Sequence, residues 1–409
     1  MKNQNFRTYT FLVLLGIFFL GCTNNQDNRA KYVFYFIGDG MGLAHISLTE
    51  AFLSDEKGEI GNKLLNFSKF PVIGLATTFS SSNLITESSA AGTALATGEK
   101  TTNSMLGVRP DSTQLTSIAH LIHRAGYAVG IVSNVTIDHA TPAAFYANSV
   151  SRSDYYNIAL QLPKTGFQFF GGGGFSRPTG RNNDQPSVYE SLSAAGYTIA
   201  RGAESYQLQK DQATKMFYTQ AEGIEGDLPY SIDRKENALS LQMVTEAAID
   251  FLFNHNEKGL FLMCEGGKID WAAHSNDAKT TIWEILDFAD AIQLAINFYH
   301  QHPKETLIVV TSDHETGGLS VGARNGYDLF FDALIEQSGS FEADREAAQT
   351  IQNGNREARI GWTSTSHTGV AVPVFAIGAG SKNFGGKMDN TDIPKKICVA
   401  MGIDQLFNN

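Results

Sequence analysis

Cysteine is almost missing from this chain, with three in 409 residues. That excludes a small fold held together by disulfides. Cys264 ends an apolar run and Cys398 sits on an amphipathic segment. Both read as small buried hydrophobes, not as a disulfide or zinc ligands. Basic residues are outnumbered: 31 Lys and Arg against 42 Asp and Glu give a net charge of −11. A chain this acidic carries no surface for wrapping nucleic acid. No Gly-x-Ser-x-Gly elbow occurs, which argues against an acyl-transfer triad. Gly171–Gly174 lacks the Lys-Ser/Thr ending of a phosphate-cradling loop and reads as a turn. Internal repeats and low-complexity tracts are absent as well.

The N-terminus carries a targeting segment. Lys2 and Arg7 precede the apolar run Phe11–Leu20, and Phe19-Leu20-Gly21-Cys22 closes it. The run is too short for a stable membrane span, so residues 1–21 read as a signal peptide. Cysteine straight after Gly21 resembles a bacterial lipoprotein cleavage site. Cys22 is then the lipidated N-terminus and residues 22–30 a polar tether. The expectation is an exported protein, lipid-anchored in the bacterial cell envelope (periplasm or outer membrane).

Strand-like and helix-like stretches alternate from residue 31 onward. Lys31–Ile37, Val72–Thr77, Tyr127–Val132, Gly259–Met263, Leu307–Thr311 and Val372–Ile377 read as buried strands. Ser88–Thr97, Glu236–Phe253, Thr281–Asn297 and Ile393–Met401 read as helices, with Thr281 and Glu284 spaced as a capping box. The pattern predicts an α/β fold, with a mostly parallel central sheet and helices on both faces. It predicts one catalytic domain over residues 31–409, interrupted by polar insertions at about 165–235 and 320–362.

In such sheets functional groups gather at the carboxyl ends of strands. Asp39, Glu265, Asp313 and His314 all follow strand ends, and His367 precedes one. Asp270 and His274 are spaced to share a helical face. Brought to one rim, these acids would repel one another unless cations lay between them. Mixed Asp/His sets suit zinc, and oxygen-only sets suit magnesium. Ser88 opens a small-residue helix, where the helix dipole and free N–H groups favour a nucleophile that becomes a phosphate ester.

The chain resembles the alkaline phosphatase family. The resemblance rests on Ile37-Gly-Asp-Gly-Met-Gly42, Ile85–Thr93, Glu265–His274, Thr311–Gly318 and His367-Thr368-Gly369. It implies an alkaline-phosphatase-like three-layer sandwich that hydrolyses phosphate monoesters through a phosphoserine, with two zinc ions and one magnesium ion. Ser88 matches the nucleophile. Asp270, His274 and His367 match the first zinc site; Asp39, Asp313 and His314 match the second. Asp39, Thr141 and Glu265 match the magnesium site. Arg152 matches the arginine that clamps two phosphate oxygens. Glu87 replaces the usual Asp beside the nucleophile and faces Arg152. His139 and Trp271 replace an Asp and a Lys, and His139 either joins the third site or lies just outside it, which leaves the third metal's identity open. Family members are commonly dimers, so a homodimer is implied. The alternative is a phosphodiesterase of the same metallohydrolase superfamily; a sulfatase is disfavoured because no Cys/Ser-x-Pro-x-Arg segment occurs.

Overall fold

The structure, a computed structural model, describes residues 29–224 and 226–407. The signal segment and Cys22 lie outside the described residues. Among those described, no helix is long and apolar enough to cross a membrane.

The strands in chain order are β1 (Tyr32–Gly38), β2 (Val72–Thr77), β3 (Ala128–Thr136), β4 (Phe169–Gly173), β5 (Thr198–Arg201), β6 (Met216–Thr219) and β7 (Leu260–Gly266). There follow β8 (Thr306–Thr311), β9 (Glu315–Thr316), β10 (Leu319–Val321), β11 (Ile360–Trp362), β12 (His367–Thr368), β13 (Val372–Gly378) and β14 (Gly386–Asp389). The helices begin with α1 (Leu43–Asp55), α2 (Ser88–Thr97), α3 (Ile118–Arg124), α4 (Ala140–Ala143), α5 (Tyr155–Ala159) and α6 (Val188–Ala194). They continue with α7 (Gly202–Gln209), α8 (Leu241–Asn254), α9 (Lys268–His274), α10 (Ala278–Gln301), α11 (Ala348–Glu357) and α12 (Asp392–Met401).

Ten strands form one sheet, in the order β14-β2-β13-β8-β1-β7-β3-β4-β6-β5. Only β13 runs against its neighbours; every other pairing is parallel. The sheet is thus mixed but mostly parallel, with helices on both faces. β1 shows why. Its residues are apolar without interruption and all buried, as a strand covered on both faces requires. Val33, Tyr35 and Ile37 join one core with Leu95 of α2, Ile122 of α3 and Ile397 of α12. Tyr32, Phe34 and Phe36 join the opposite core with Phe251 of α8 and Phe288 of α10. Full burial of each such side chain contributes roughly 1.5–3 kcal/mol. Cys264 and Cys398 are free and buried in these two cores.

Three local expectations change. Gly171–Gly173 form strand β4, not a turn. A Cβ on Gly172 would lie 1.7 Å from the Ser133 carbonyl oxygen, because β3 shifts register there; glycine lets the two backbones meet. α8 starts at Leu241, later than Glu236, because the Ser240 side chain caps it by accepting from the Met243 N–H. α10 is capped by Asp277, not Thr281, and Glu284 instead accepts from the Ser231 N–H at 2.6 Å. Residues 165–235 supply three strands of the main sheet. Residues 320–362 pack a satellite core, with Phe331 and Leu334 against Leu48 and Ile282.

Candidate active site

The sheet places the acids side by side. Gly38 of β1 pairs with Gly266 of β7, and Ile37 pairs with Thr311 of β8. Asp39, Glu265 and Asp313 therefore emerge at one rim, each fully buried. Gly40 has φ +72, and a Cβ there would lie 2.9 Å from the Asp270 Cα. Its bare backbone instead donates an N–H to Asp313 Oδ1 at 3.1 Å.

Two clusters form around His314. In one, His314 Nε2 lies 3.4 Å from Asp39 Oδ1 and 3.3 Å from Asp313 Oδ2. In the other, His274 Nε2 lies 3.3 Å from Asp270 Oδ2, and His367 Nε2 lies 3.7 Å from Asp270 Oδ1. The His314 and His367 rings stack at 3.7 Å, which makes the clusters contiguous. Ser88 Oγ lies 3.3 Å from His314 Nε2. A third group joins Asp39, Glu265 and His139, whose ligating atoms come within 4.8 Å of one another. Thr141, on α4 next to this group, has a buried hydroxyl with no hydrogen-bond partner among the described residues.

These donor sets fit cations. His274 Nδ1 and His367 Nδ1 each face a backbone carbonyl, of Thr365 at 2.7 Å and of Thr86 at 3.0 Å. Their Nδ1–H groups donate there, so the Nε2 lone pairs face each other at 3.1 Å. Only a proton or a metal ion can sit between them. Both oxygens of Asp39, Oδ2 of Asp313 and Oε1 of Glu265 are buried without hydrogen bonds among the described residues. Burial, and then the Asp313 charge, hold the Asp39 carboxyl well above its ordinary range. Burial pushes Glu265 up to about 8 and Asp313 up to about 7. Burial opposes ionisation of Asp270 too, but the hydrogen bond from His274 and the surrounding imidazoles outweigh it and lower its pKa. Burial disfavours a charged His274, yet Asp270 raises it to about 9. Divalent ions would replace the protons these groups otherwise hold.

Glu87, not Ser88, caps α2. It accepts from the Ser89 N–H at 3.0 Å and the Ala90 N–H at 2.9 Å. The same carboxylate pairs with Arg152 Nη1 at 2.5 Å. Burial opposes its ionisation, but Arg152 and these donors bring its pKa down to about 2. Arg152 Nη2 lies 3.3 Å from His139 Nε2. His139 stays neutral, lowered to about 3 by burial and then by Arg152, and it meets the Trp271 ring edge-on at 5.6 Å. These groups line a cavity of about 430 Å³, joined by Asn103.

Every candidate metal, nucleophile and phosphate-clamp residue named above thus falls in this one neighbourhood. The sequence reading missed the residues that orient them. Thr316 Oγ1 donates to Asp270 Oδ1 at 2.5 Å and lies 3.2 Å from His314 Nδ1. Ser133 Oγ donates to Glu265. Thr368 Oγ1 donates to Glu315. Thr316, Glu315 and Thr368 sit inside the quoted motifs, but only pairing of β9 with β12 shows that they meet.

The family model described as alkaline phosphatase matches residues 30–168 and 180–403. Alkaline phosphatase 4 of Bacillus subtilis is 32% identical over 450 residues, spanning 96% of this chain and 95% of that protein. The alkaline phosphatase of Antarctic bacterium TAB5, solved as a histidine-to-glutamate mutant with magnesium in its M3 site, is 32% identical, with a TM-score of 0.76. That alignment covers 91% of this chain and 98% of that one. The cold-active alkaline phosphatase of a psychrophilic Shewanella is 31% identical, with a TM-score of 0.78 and coverage of 90% and 99%.

Proposed function

Because this chain belongs to the alkaline phosphatase family and is a phosphomonoester hydrolase, we propose that it works through a phosphoserine at Ser88, on a site loaded with two zinc ions and one magnesium ion. Asp270, His274 and His367 would hold the first zinc, and Asp39, Asp313 and His314 the second. Asp39, Thr141 and Glu265 would hold the magnesium, with His139 beside it. When bound, the ions supply Lewis acidity that activates both the attacking and the leaving oxygen.

The chain's own residues do the rest. Ser88 is the first residue of α2, so its hydroxyl sits at the positive end of the helix dipole. Glu87 occupies the N–H groups of Ser89 and Ala90, leaving that of Ser88 for a phosphoryl oxygen. Glu87 and His139 hold the two ends of the Arg152 guanidinium, which turns its remaining N–H groups toward a dianionic monoester. The observation that carries this reading is Ser88 Oγ at 3.3 Å from His314, where the two imidazole–carboxylate clusters touch.

Ser88→Ala is expected to cut aryl phosphate turnover roughly a thousandfold or more, with metal content by mass spectrometry unchanged. Near wild-type turnover would remove Ser88 as nucleophile. Arg152→Ala is expected to raise the inhibition constant of inorganic phosphate. An aryl phosphate should be turned over far faster than its methyl diester, which separates this activity from a phosphodiesterase. The same reading takes Cys22 as the lipidated N-terminus and the enzyme as a homodimer. The mass of the mature N-terminal peptide tests the first, and sedimentation of the chain lacking residues 1–22 tests the second.

A further inference from the structure

Beside the phosphoryl site lies a second cavity, of about 470 Å³. Ser151 and Ser153 form part of its wall, and they flank Arg152, so the two cavities adjoin across one residue of backbone. Arg177 and Arg181 line it as well. Arg177 falls in the short stretch that the family model leaves unmatched, whereas Arg181 falls in the matched part. Among the described residues neither arginine makes an ion pair. Arg177 lies over the Tyr155 ring, 5.5 Å from its centroid, a contact that restricts its rotamers. Two acids, Asp154 and Asp184, share the cavity, each hydrogen-bonded to an amide that also lines it. Asp154 accepts from Asn157 Nδ2 through both oxygens, at 2.9 and 3.1 Å, and Asp184 accepts from Gln185 Nε2 at 3.3 Å. Two guanidinium groups, neither in an ion pair among the described residues and one lying over a ring, offer donors for a phosphate dianion at the cavity.

We propose that this cavity is a leaving-group subsite, which selects phosphomonoesters whose alcohol carries a second phosphate. It rests on the phosphatase reading above: the scissile phosphate occupies the Ser88–Arg152 site while the distal phosphate reaches Arg177 and Arg181.

The test uses the metal-loaded full chain and a series of α,ω-alkanediol bisphosphates of increasing length. Each is compared with its hydroxyalkyl monophosphate, and p-nitrophenyl phosphate serves as the control. One range of lengths is expected to show kcat/KM about fivefold to tenfold above the monophosphate, mainly through KM. That exceeds the roughly twofold advantage of carrying two equivalent phosphates. The preference should shrink with added salt. Arg177→Gln/Arg181→Gln should abolish it while p-nitrophenyl phosphate turnover stays within about twofold of wild type, which also reports folding. Arg177→Lys/Arg181→Lys should retain part of it. No preference at any length, or a preference that survives the glutamine pair, overturns the subsite. Failure of the wild type to hydrolyse p-nitrophenyl phosphate instead overturns the phosphatase reading beneath it.

Discussion

Asp39 and Asp277 are both aspartates shut away from water, 0% and 1% exposed, yet their surroundings are opposite. Asp277 is surrounded by donors. Its Oδ1 accepts from the Thr280 N–H at 3.0 Å and Gln337 Nε2 at 2.8 Å; its Oδ2 accepts from Thr280 Oγ1 at 2.7 Å and the Phe341 N–H at 3.0 Å. It caps α10 and ties residues 337–341 to that helix. Asp39 is surrounded by acids, Asp313, Asp270 and Glu265, and neither oxygen receives a hydrogen bond among the described residues. A buried carboxylate satisfied by protein donors is part of the scaffold. One left unsatisfied among other carboxylates is a place for a cation.

The sharpest way to break this contrast is Asp39→Asn. Under the proposed metal loading, turnover should fall roughly a thousandfold or more and bound metal should drop. The chelated variant should nonetheless unfold at the same or a higher temperature than the chelated parent, because without metal the buried carboxyl must hold a proton to stay neutral and an amide needs none. A chelated variant much less stable than its parent would place Asp39 with the scaffold. Asp277→Ala reverses the pattern. Losing four hydrogen bonds, three of them fully buried, should cost about 3 kcal/mol of stability, seen as a lower Tm, with kcat within about twofold of wild type.

A third measurement sharpens the contrast through pH. Folded Glu265 and Asp313 stand at about 8 and about 7, against ordinary values of 4.5 and 3.8. The folded state therefore binds more protons than the unfolded one across that window. Below about pH 6.5 the buried neutral histidines, His139 and His314 among them, work in the opposite direction, so the loss of metal-free stability emerges as pH rises from about 7 through 8. Melting the chelated chain at about pH 7 and about pH 8.5 should show a loss on the order of a few °C. Zinc and magnesium should remove most of it. A chelated protein equally stable at both values would mean these carboxylates already have counter-charges.

How much of this was legible follows from the same two residues. Asp39 was readable because it follows an unbroken apolar strand, and strand ends of parallel sheets converge. Every strand expected near the site formed, and with it the rim bearing Asp313 and His314. Asp277 was not readable. Two of its donors, Gln337 and Phe341, come from sixty or more positions away, and the nearby Thr281–Glu284 spacing imitated a cap that the fold uses otherwise. Gly171–Gly173 misled for a similar reason: glycine's composition signals a turn, but close strand approach demands it equally.

The smallest expected effect concerns Thr368, next to the His367 ligand. β12 is only two residues long and pairs with β9, setting Thr368 opposite Glu315 and His367 opposite Thr316. So short a ladder cannot hold an imidazole in place by itself. The hydrogen bond from Thr368 Oγ1 to Glu315 adds a side-chain tie, and Glu315 is anchored in turn by the Leu319 N–H at 3.2 Å. Thr368→Val keeps the shape and removes the donor, which leaves a buried carboxylate oxygen unpaired. Zinc affinity should weaken about tenfold, in line with other partners that orient metal ligands. Turnover at saturating zinc should change little, because His367 itself is intact. Thr368→Ser restores the hydroxyl and should restore affinity. Equal zinc affinity in the valine and serine variants would show that the β9–β12 backbone pairing alone positions His367.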